Sequence, residues 1–260
     1  MNLEEFTKKE VLLNKKEIFS FDFEGKKYWL KKARATKINK IQKFFYNIFS
    51  FELLIPSLEK TPKDALVFET RKIEKFKKLG INVPNIVYKD EHFFVLEDGG
   101  KTIYSILRDK NIKENNFYFY IDLVLKELVK IHSFGFFHGG SQLRNFTFKE
   151  GKVFVIDFEE SFDNNIDIKT LQYRDFLLFL LAFLKIKGLS FRIDYQKIIN
   201  RYLEISKNYE IKDNLLNFSR KLQLFLWLYK KEFIRKRVGS DVKYFFELIE
   251  ILNKMDKNAK

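Results

Sequence analysis

The sequence predicts an α+β chain in two lobes, a small antiparallel-sheet lobe followed by a larger helical one. Three observations carry that reading. Strand-like alternation fills much of the first hundred residues, the pair Gly99-Gly100 breaks the chain, and from about Thr170 onward the patterning is helical. With 10 glycines and 3 prolines in 260 residues, no Gly/Ser/Pro-rich seam divides it. One domain over 1–260 is therefore expected, with an N-lobe of 1–98 and a C-lobe of 99–260.

The elements follow in order. Glu17 to Phe23 and Lys26 to Ala33 alternate as strands do about the turn Glu24-Gly25, which makes them a hairpin. The aromatic-rich stretch 37–52 reads as helix. From Asp64 to Leu79 the period is helical, and Gly80 stands where a helix C-terminus favours glycine. Two further strands are expected at Asn85 to Tyr88 and His92 to Glu97, then a short helix after Gly100. Phe117, Ile121, Val124, Leu128 and Ile131 recur at steps of four and three, one face of a long helix from Asn115 to Phe134. Asn145 to Phe148 and Lys152 to Ile156 form a second hairpin about Glu150-Gly151. The longest apolar run, Phe176 to Leu184, is about half a membrane span and reads as a buried helix.

Composition removes several classes of function. Without cysteine there is no disulfide, thiolate metal site or thiol nucleophile, and three histidines rule out a histidine-rich metal site. Met1 to Lys16 is charged and lacks the apolar core of a signal peptide, so a cytoplasmic location is expected. The net charge of +14 would attract nucleic acid, anionic lipid or phosphorylated substrates. It is matched equally by a composition biased toward Lys, Asn, Ile and Phe, so charge alone selects no partner.

Two constellations carry chemistry. The first runs from His132 through His138-Gly139-Gly140-Ser141-Gln142-Leu143-Arg144-Asn145 to Val155-Ile156-Asp157-Phe158-Glu159. A polar loop ending in Asn145, and Asp157 leaving a short apolar strand, place an amide and a carboxylate together. Mg²⁺ takes such oxygen ligands, completed by a substrate's phosphates. The second lies on the helix from Asp64, where Leu66, Glu69, Ile73 and Phe76 fall at steps of three, four and three. Glu69 thus faces inward and requires a cation, because an unpaired buried charge is costly. The strand Tyr28-Trp29-Leu30-Lys31-Lys32-Ala33 offers two lysines on opposite faces.

Taken together, these segments resemble the atypical kinases, closest in style to the lipopolysaccharide Kdo kinase group and the RIO-like kinases, including the KEOPS-complex kinase. The resemblance covers roughly residues 15 to 185 and implies a two-lobed protein-kinase-like fold that uses ATP and Mg²⁺. It implies that Asn145 and Asp157 bind metal and that His138 is structural within the loop. It also implies that Glu69 orients a lysine on the ATP phosphates, Lys31 being favoured and Lys32 the alternative. Val95-Leu96-Glu97-Asp98-Gly99-Gly100 resembles the hinge, which makes Glu97 and Asp98 backbone contacts to adenine. Asp175, at the head of the most apolar helix, either accepts hydrogen bonds from the catalytic loop or simply suits a helix N-terminus. Ile193 to Met255 match nothing specific.

Two departures qualify the resemblance. Gly140 stands where kinases place the Asp that accepts the acceptor hydroxyl's proton, and Gln142 stands where a Lys is usual. Glu159, Glu160 and Asp163 are the carboxylates that could substitute. No glycine precedes Gly25, so a phosphate-covering turn near Leu13 to Lys16 would use Asn14 and lysines.

Two functions are consistent with this pattern. One is an ATP- and Mg²⁺-dependent phosphotransferase acting on a lipid-linked sugar, a small molecule or a protein hydroxyl. The other is a nucleotide-binding pseudokinase with a regulatory or scaffolding role. Phe44-Phe45-Tyr46-Asn47-Ile48-Phe49, with the basic charge, suggests peripheral contact with an anionic membrane at its inner face; the same residues could pack beneath a helix. Lys230-Lys231 with Arg235-Lys236-Arg237 reads as a solvated helical face, and nucleic acid is not expected.

Overall fold

The computed structural model describes residues 2–37, 42–43, 46–47 and 51–258. Strands β1 (Ile18–Phe23) and β2 (Lys26–Lys32) form the expected antiparallel hairpin. Glu24 and Gly25 both take positive φ, the turn geometry that matches the twist of two paired strands. β2 continues to β4 (Phe93–Glu97), and β4 to β3 (Ile86–Lys89), giving the order β1-β2-β4-β3.

Alternation gives this sheet two working faces. On one, Phe19, Phe21, Leu30, Phe93 and Val95 form a buried cluster covered by Leu3, Phe6 and Val11 of helix α1 (Leu3–Leu13). On the other, Phe94 joins Leu66, Ile73 and Phe76 of helix α2 (Pro62–Lys78). α2 starts two residues earlier than the sequence pattern indicates, because Thr61 caps it and Pro62 occupies its first turn. Gly80, at φ 73°, ends it as expected.

Beyond Gly100, a two-residue strand β5 (Lys101–Thr102) leads into helix α3 (Ile103–Leu107) and pairs with β6 (Phe146–Lys149). β6 in turn pairs with β7 (Lys152–Val155). The long helix α4 (Glu114–Ser133) and the apolar helix α5 (Ile168–Ala182) form the centre of the helical part. Around them lie α6 (Tyr195–Ser206), α7 (Glu210–Lys221), α8 (Gln223–Tyr229), α9 (Glu232–Arg237) and α10 (Ser240–Asn258). One buried cluster runs from Leu66 of α2 to Leu252 of α10, so sheet and helices share a core.

The expectation of helix throughout after Thr170 needs one correction. Residues 186–194 form an irregular connection, in which Gly188 takes φ 81°. The helix expected over 37–52 and the aromatic segment 44–49 lie mostly outside the described residues. Among the described residues, no helix is long and apolar enough to cross a membrane.

Candidate active site

β2 sends its last two residues to opposite faces of the sheet. Lys31 points toward α2 and Lys32 toward α1. The Lys31 ammonium lies 2.8 Å from the Glu69 carboxylate, 2.8 Å from Asp157 Oδ1 and 3.4 Å from Glu159. Lys32 Nζ instead donates to the carbonyls of Val11 (3.1 Å) and Asn14 (2.6 Å), closing the C-terminal end of α1. It is therefore Lys31, not Lys32, that meets Glu69.

Glu69 is almost completely buried, and burial pushes its carboxyl above the ordinary value, with Lys31 acting against that shift. For Lys31, burial works toward neutrality. The carboxylates of Glu69, Asp157 and Glu159 outweigh it and hold the ammonium above its ordinary value. Asp157 is held below the usual carboxylate range: burial opposes ionisation, but the adjacent Lys31 prevails. Asp157 leaves β7 with φ 67°, a left-handed conformation that Asp tolerates better than most residues. Its side chain remains 34 % exposed, so one edge is open to a ligand.

Asn145 is fixed by the loop that precedes it. Its Nδ2 donates to Gly140 O at 2.7 Å, and its own carbonyl accepts from Ile156 N at 3.0 Å, one residue before Asp157. With the nitrogen committed, the amide oxygen is the atom left for a cation. Asp175 holds the loop from beneath. Fully buried, it accepts the backbone N–H groups of His138 (2.6 Å) and Gly139 (2.9 Å). The expectation that Asp175 opens the apolar helix is corrected: α5 begins at Ile168, capped by Asp167, and Asp175 lies in its middle, so its role is that of acceptor for the loop and not of a helix N-terminal acid. His138 is buried between the rings of Phe146 and Phe158, and its Nδ1 accepts from Gly140 N at 3.1 Å. Burial lowers its pKa to about 4, so the imidazole is neutral near pH 7.

The two loop glycines differ. Gly139 has φ 103°, and a Cβ there would lie 2.9 Å from Glu160 Cβ, so a side chain is excluded. At Gly140 an added Cβ would meet only Asn145 Nδ2, at 3.4 Å. The absence of a carboxylate at Gly140 is therefore not imposed by crowding.

At the expected hinge the backbone N–H groups of Glu97 and Asp98 already have partners within the protein. The N–H of Glu97 donates to Asn85 O at 3.0 Å, and that of Asp98 to Lys27 O at 3.2 Å. Neither peptide N–H is free for an adenine edge. Their side chains are also engaged, Glu97 by Asn85 Nδ2 (2.6 Å) and Asp98 by Trp29 Nε1 (2.9 Å).

Sequence reasoning missed three participants, Arg34, Arg174 and Lys72, and left open the choice among Glu159, Glu160 and Asp163. Arg34 bonds Glu159 at 2.6 Å and so sets a second cation beside the cluster. Arg174 donates to Gly139 O and lies 3.5 Å from Glu160. Glu160, which the sequence offers only as one of three carboxylates, is the one packed against the loop; burial raises its pKa, with Arg174 opposing. Lys72, one turn after Glu69, donates to His138 O at 2.9 Å, and burial pulls its pKa down to about 8. No local pattern marks these residues, since each acts across a long sequence separation.

The donor set fits a divalent cation. Asp157, 34 % exposed, offers a carboxylate edge, and Asn145, whose Nδ2 is committed to Gly140 O, offers its amide oxygen, both hard oxygen donors. Among the described residues, no three His, Cys, Asp or Glu side chains form a closed metal cage. A metal held by Asp157 and Asn145 would depend on ligand oxygens to complete its shell, as Mg²⁺ does with phosphates.

No family model matches the chain. A Haemophilus influenzae protein described as uncharacterized is 30% identical over 231 residues, spanning 88% of this chain and 86% of its own length. The chain belongs to the family of that protein. Among solved structures, WaaP in complex with acyl carrier protein superposes with a TM-score of 0.50 and 12% identity, over 86% of this chain and 91% of that one. The likeness supports an atypical kinase-like fold. The Neurospora crassa PAN3 pseudokinase gives a TM-score of 0.39 and 13% identity, over 93% of this chain and 65% of that one. That likeness is too loose to argue from.

Proposed function

We propose that the protein is an ATP- and Mg²⁺-dependent phosphotransferase whose acceptor is the hydroxyl of a lipid-linked sugar, a small molecule or a protein. The convergence of Lys31, Glu69 and Asp157 beside Asn145 carries this reading. A nucleotide's phosphates would draw Lys31 from Asp157 while Glu69 keeps it in place. Asp157 and Asn145 would hold the metal, which supplies charge neutralisation at the phosphates. The residues themselves need only position and neutralise, because phosphoryl transfer passes through a loose transition state.

Glu160 is our candidate for the proton acceptor in place of the missing Asp. It borders Gly139, the neighbour of Gly140, and its raised pKa suits a base better than a carboxylate at the ordinary value. A base works only when deprotonated, so turnover rises with pH through a limb above the usual carboxylate range. The test is ATP turnover in Glu160→Gln and in Glu160→Gln with Gly140→Asp. The single change should cost ~10²-fold or more, and the double change should recover part of it. Unchanged turnover in Glu160→Gln would remove Glu160 from the chemistry.

Gly140 also supports the second reading, a pseudokinase that binds nucleotide without transfer. Under that reading the wild type shows no turnover with any acceptor, and Gly140→Asp introduces it.

A further inference from the structure

We propose that helices α8 and α9 form a docking surface for an anionic lipid bilayer. The proposal stands on surface chemistry alone and is independent of what happens at Lys31. On α8, Leu224, Trp227 and Leu228 fall at steps of three and one, on a single face, and are 65%, 57% and 39% exposed. Phe233 on α9 is 64% exposed. Leu226 turns the other way, into the core. A folded surface that leaves three large apolar side chains more than half in water, close together in sequence, is one that meets another apolar phase.

The charge around these residues identifies that phase. Between Lys221 and Arg237 there are six lysines and arginines against one acid, Glu232. Two cations sit on the exposed rings themselves: Lys231 Nζ lies 4.6 Å from the Trp227 ring, and Arg237 is 3.9 Å from that of Phe233. Each of these rings thus carries its own cation, the pairing that an interfacial protein presents to acyl chains and headgroups. The local acids do not cancel this charge. Glu232 pairs with Lys236 and Glu250 with Lys230, while Lys231, Arg235 and Arg237 make no ion pair among the described residues. A solvated helical face, which the sequence suggests for Lys230 to Arg237, does not account for the exposed rings. A nucleic-acid groove does not require Leu224 and Leu228. An anionic leaflet uses both sets, since it attracts each nearby lysine and arginine and accepts the apolar side chains.

The test is co-sedimentation of the full chain with vesicles of phosphatidylcholine alone and of phosphatidylcholine containing phosphatidylglycerol. Two double variants accompany it, Trp227→Ser with Phe233→Ser, and Lys231→Glu with Arg235→Glu. All four residues are exposed, and unchanged thermal denaturation verifies that both variants fold. The wild type should bind only the anionic vesicles, and each variant should bind them at least ~10-fold more weakly. In a Trp29→Phe background Trp227 is the sole tryptophan, and its emission should shift to the blue on binding. Three results overturn the proposal. The first is no binding to anionic vesicles. The second is binding that survives the loss of Trp227 and Phe233, which would reduce the patch to charge alone and fit nucleic acid equally well. The third is a dimer in sedimentation velocity that the ring variant dissolves, which would assign the face to a second copy of the chain.

Discussion

Lys31 and Lys32 are adjacent, chemically identical and a single pleat apart, yet they hold different structures together. Lys31 is the cation for three buried or partly buried carboxylates, whereas Lys32 joins strand to helix through two backbone carbonyls. Lys31→Ala strands Glu69 in the core. It should lower unfolding stability by ~3–5 kcal/mol, the cost of breaking a buried ion pair from one side, and abolish nucleotide binding. Lys32→Ala loses hydrogen bonds at a partly exposed helix end. It should cost ~1 kcal/mol and leave nucleotide affinity unchanged. Urea denaturation and nucleotide titration of the two variants side by side check this, and equal effects would show that the face assignment does not matter.

Among the elements, the loop 138–145 is where charge and packing are most tightly linked. Asp175 binds its backbone, Arg174 and Lys72 bond its carbonyls, and the neutral His138 ring fills the space between Phe146 and Phe158. A histidine ordinarily titrates near 6.5, and burial lowers His138 to about 4. Between these values the unfolded chain binds more protons than the folded one. Stability is therefore lost as pH falls from about 6.5 to about 4, by on the order of 3 kcal/mol from this group. Denaturation curves at pH 7 and pH 4.5 should diverge less for His138→Leu than for the wild type. An identical pH dependence in the two would mean that His138 does not titrate as its burial requires.

The elements also show what a sequence can and cannot disclose. The first hairpin and α4 are legible because their apolar residues repeat at periods of two and 3.6 over enough residues to be distinctive. Strand β5 has two residues and exists only because β6 pairs with it, so no periodicity could reveal it. Within the site, Glu69, Asn145 and Asp157 are visible in sequence because each sits beside an element boundary or on an apolar face. Arg34, Lys72 and Arg174 are not, and Glu160 is visible only as one of three candidates, since the surroundings that give them a role come from other parts of the chain. The sequence leaves the choice between Lys31 and Lys32 open for a related reason: alternation gives opposite faces but does not say which helix covers which.

At the scale of the whole molecule, the sheet's α2 face and the helical part close on each other through a shared core, and the charged cluster lies where they meet. β2 and α2 supply Lys31 and Glu69, while the loops flanking β6 and β7 supply Asn145 and Asp157. A ligand that bridges Lys31 and Asp157 would thus bridge both parts and stabilise the folded chain by mass action.

The most direct test is therefore thermal denaturation with ATP, with and without Mg²⁺, for the wild type and Asp157→Ala. We expect ATP with Mg²⁺ to raise the wild-type melting temperature by several degrees, about the effect of 1–3 kcal/mol of binding energy. ATP without the metal should raise it less, and Asp157→Ala should lose the metal-dependent part. An unchanged wild-type melting temperature at saturating ATP and Mg²⁺ would contradict the nucleotide site itself.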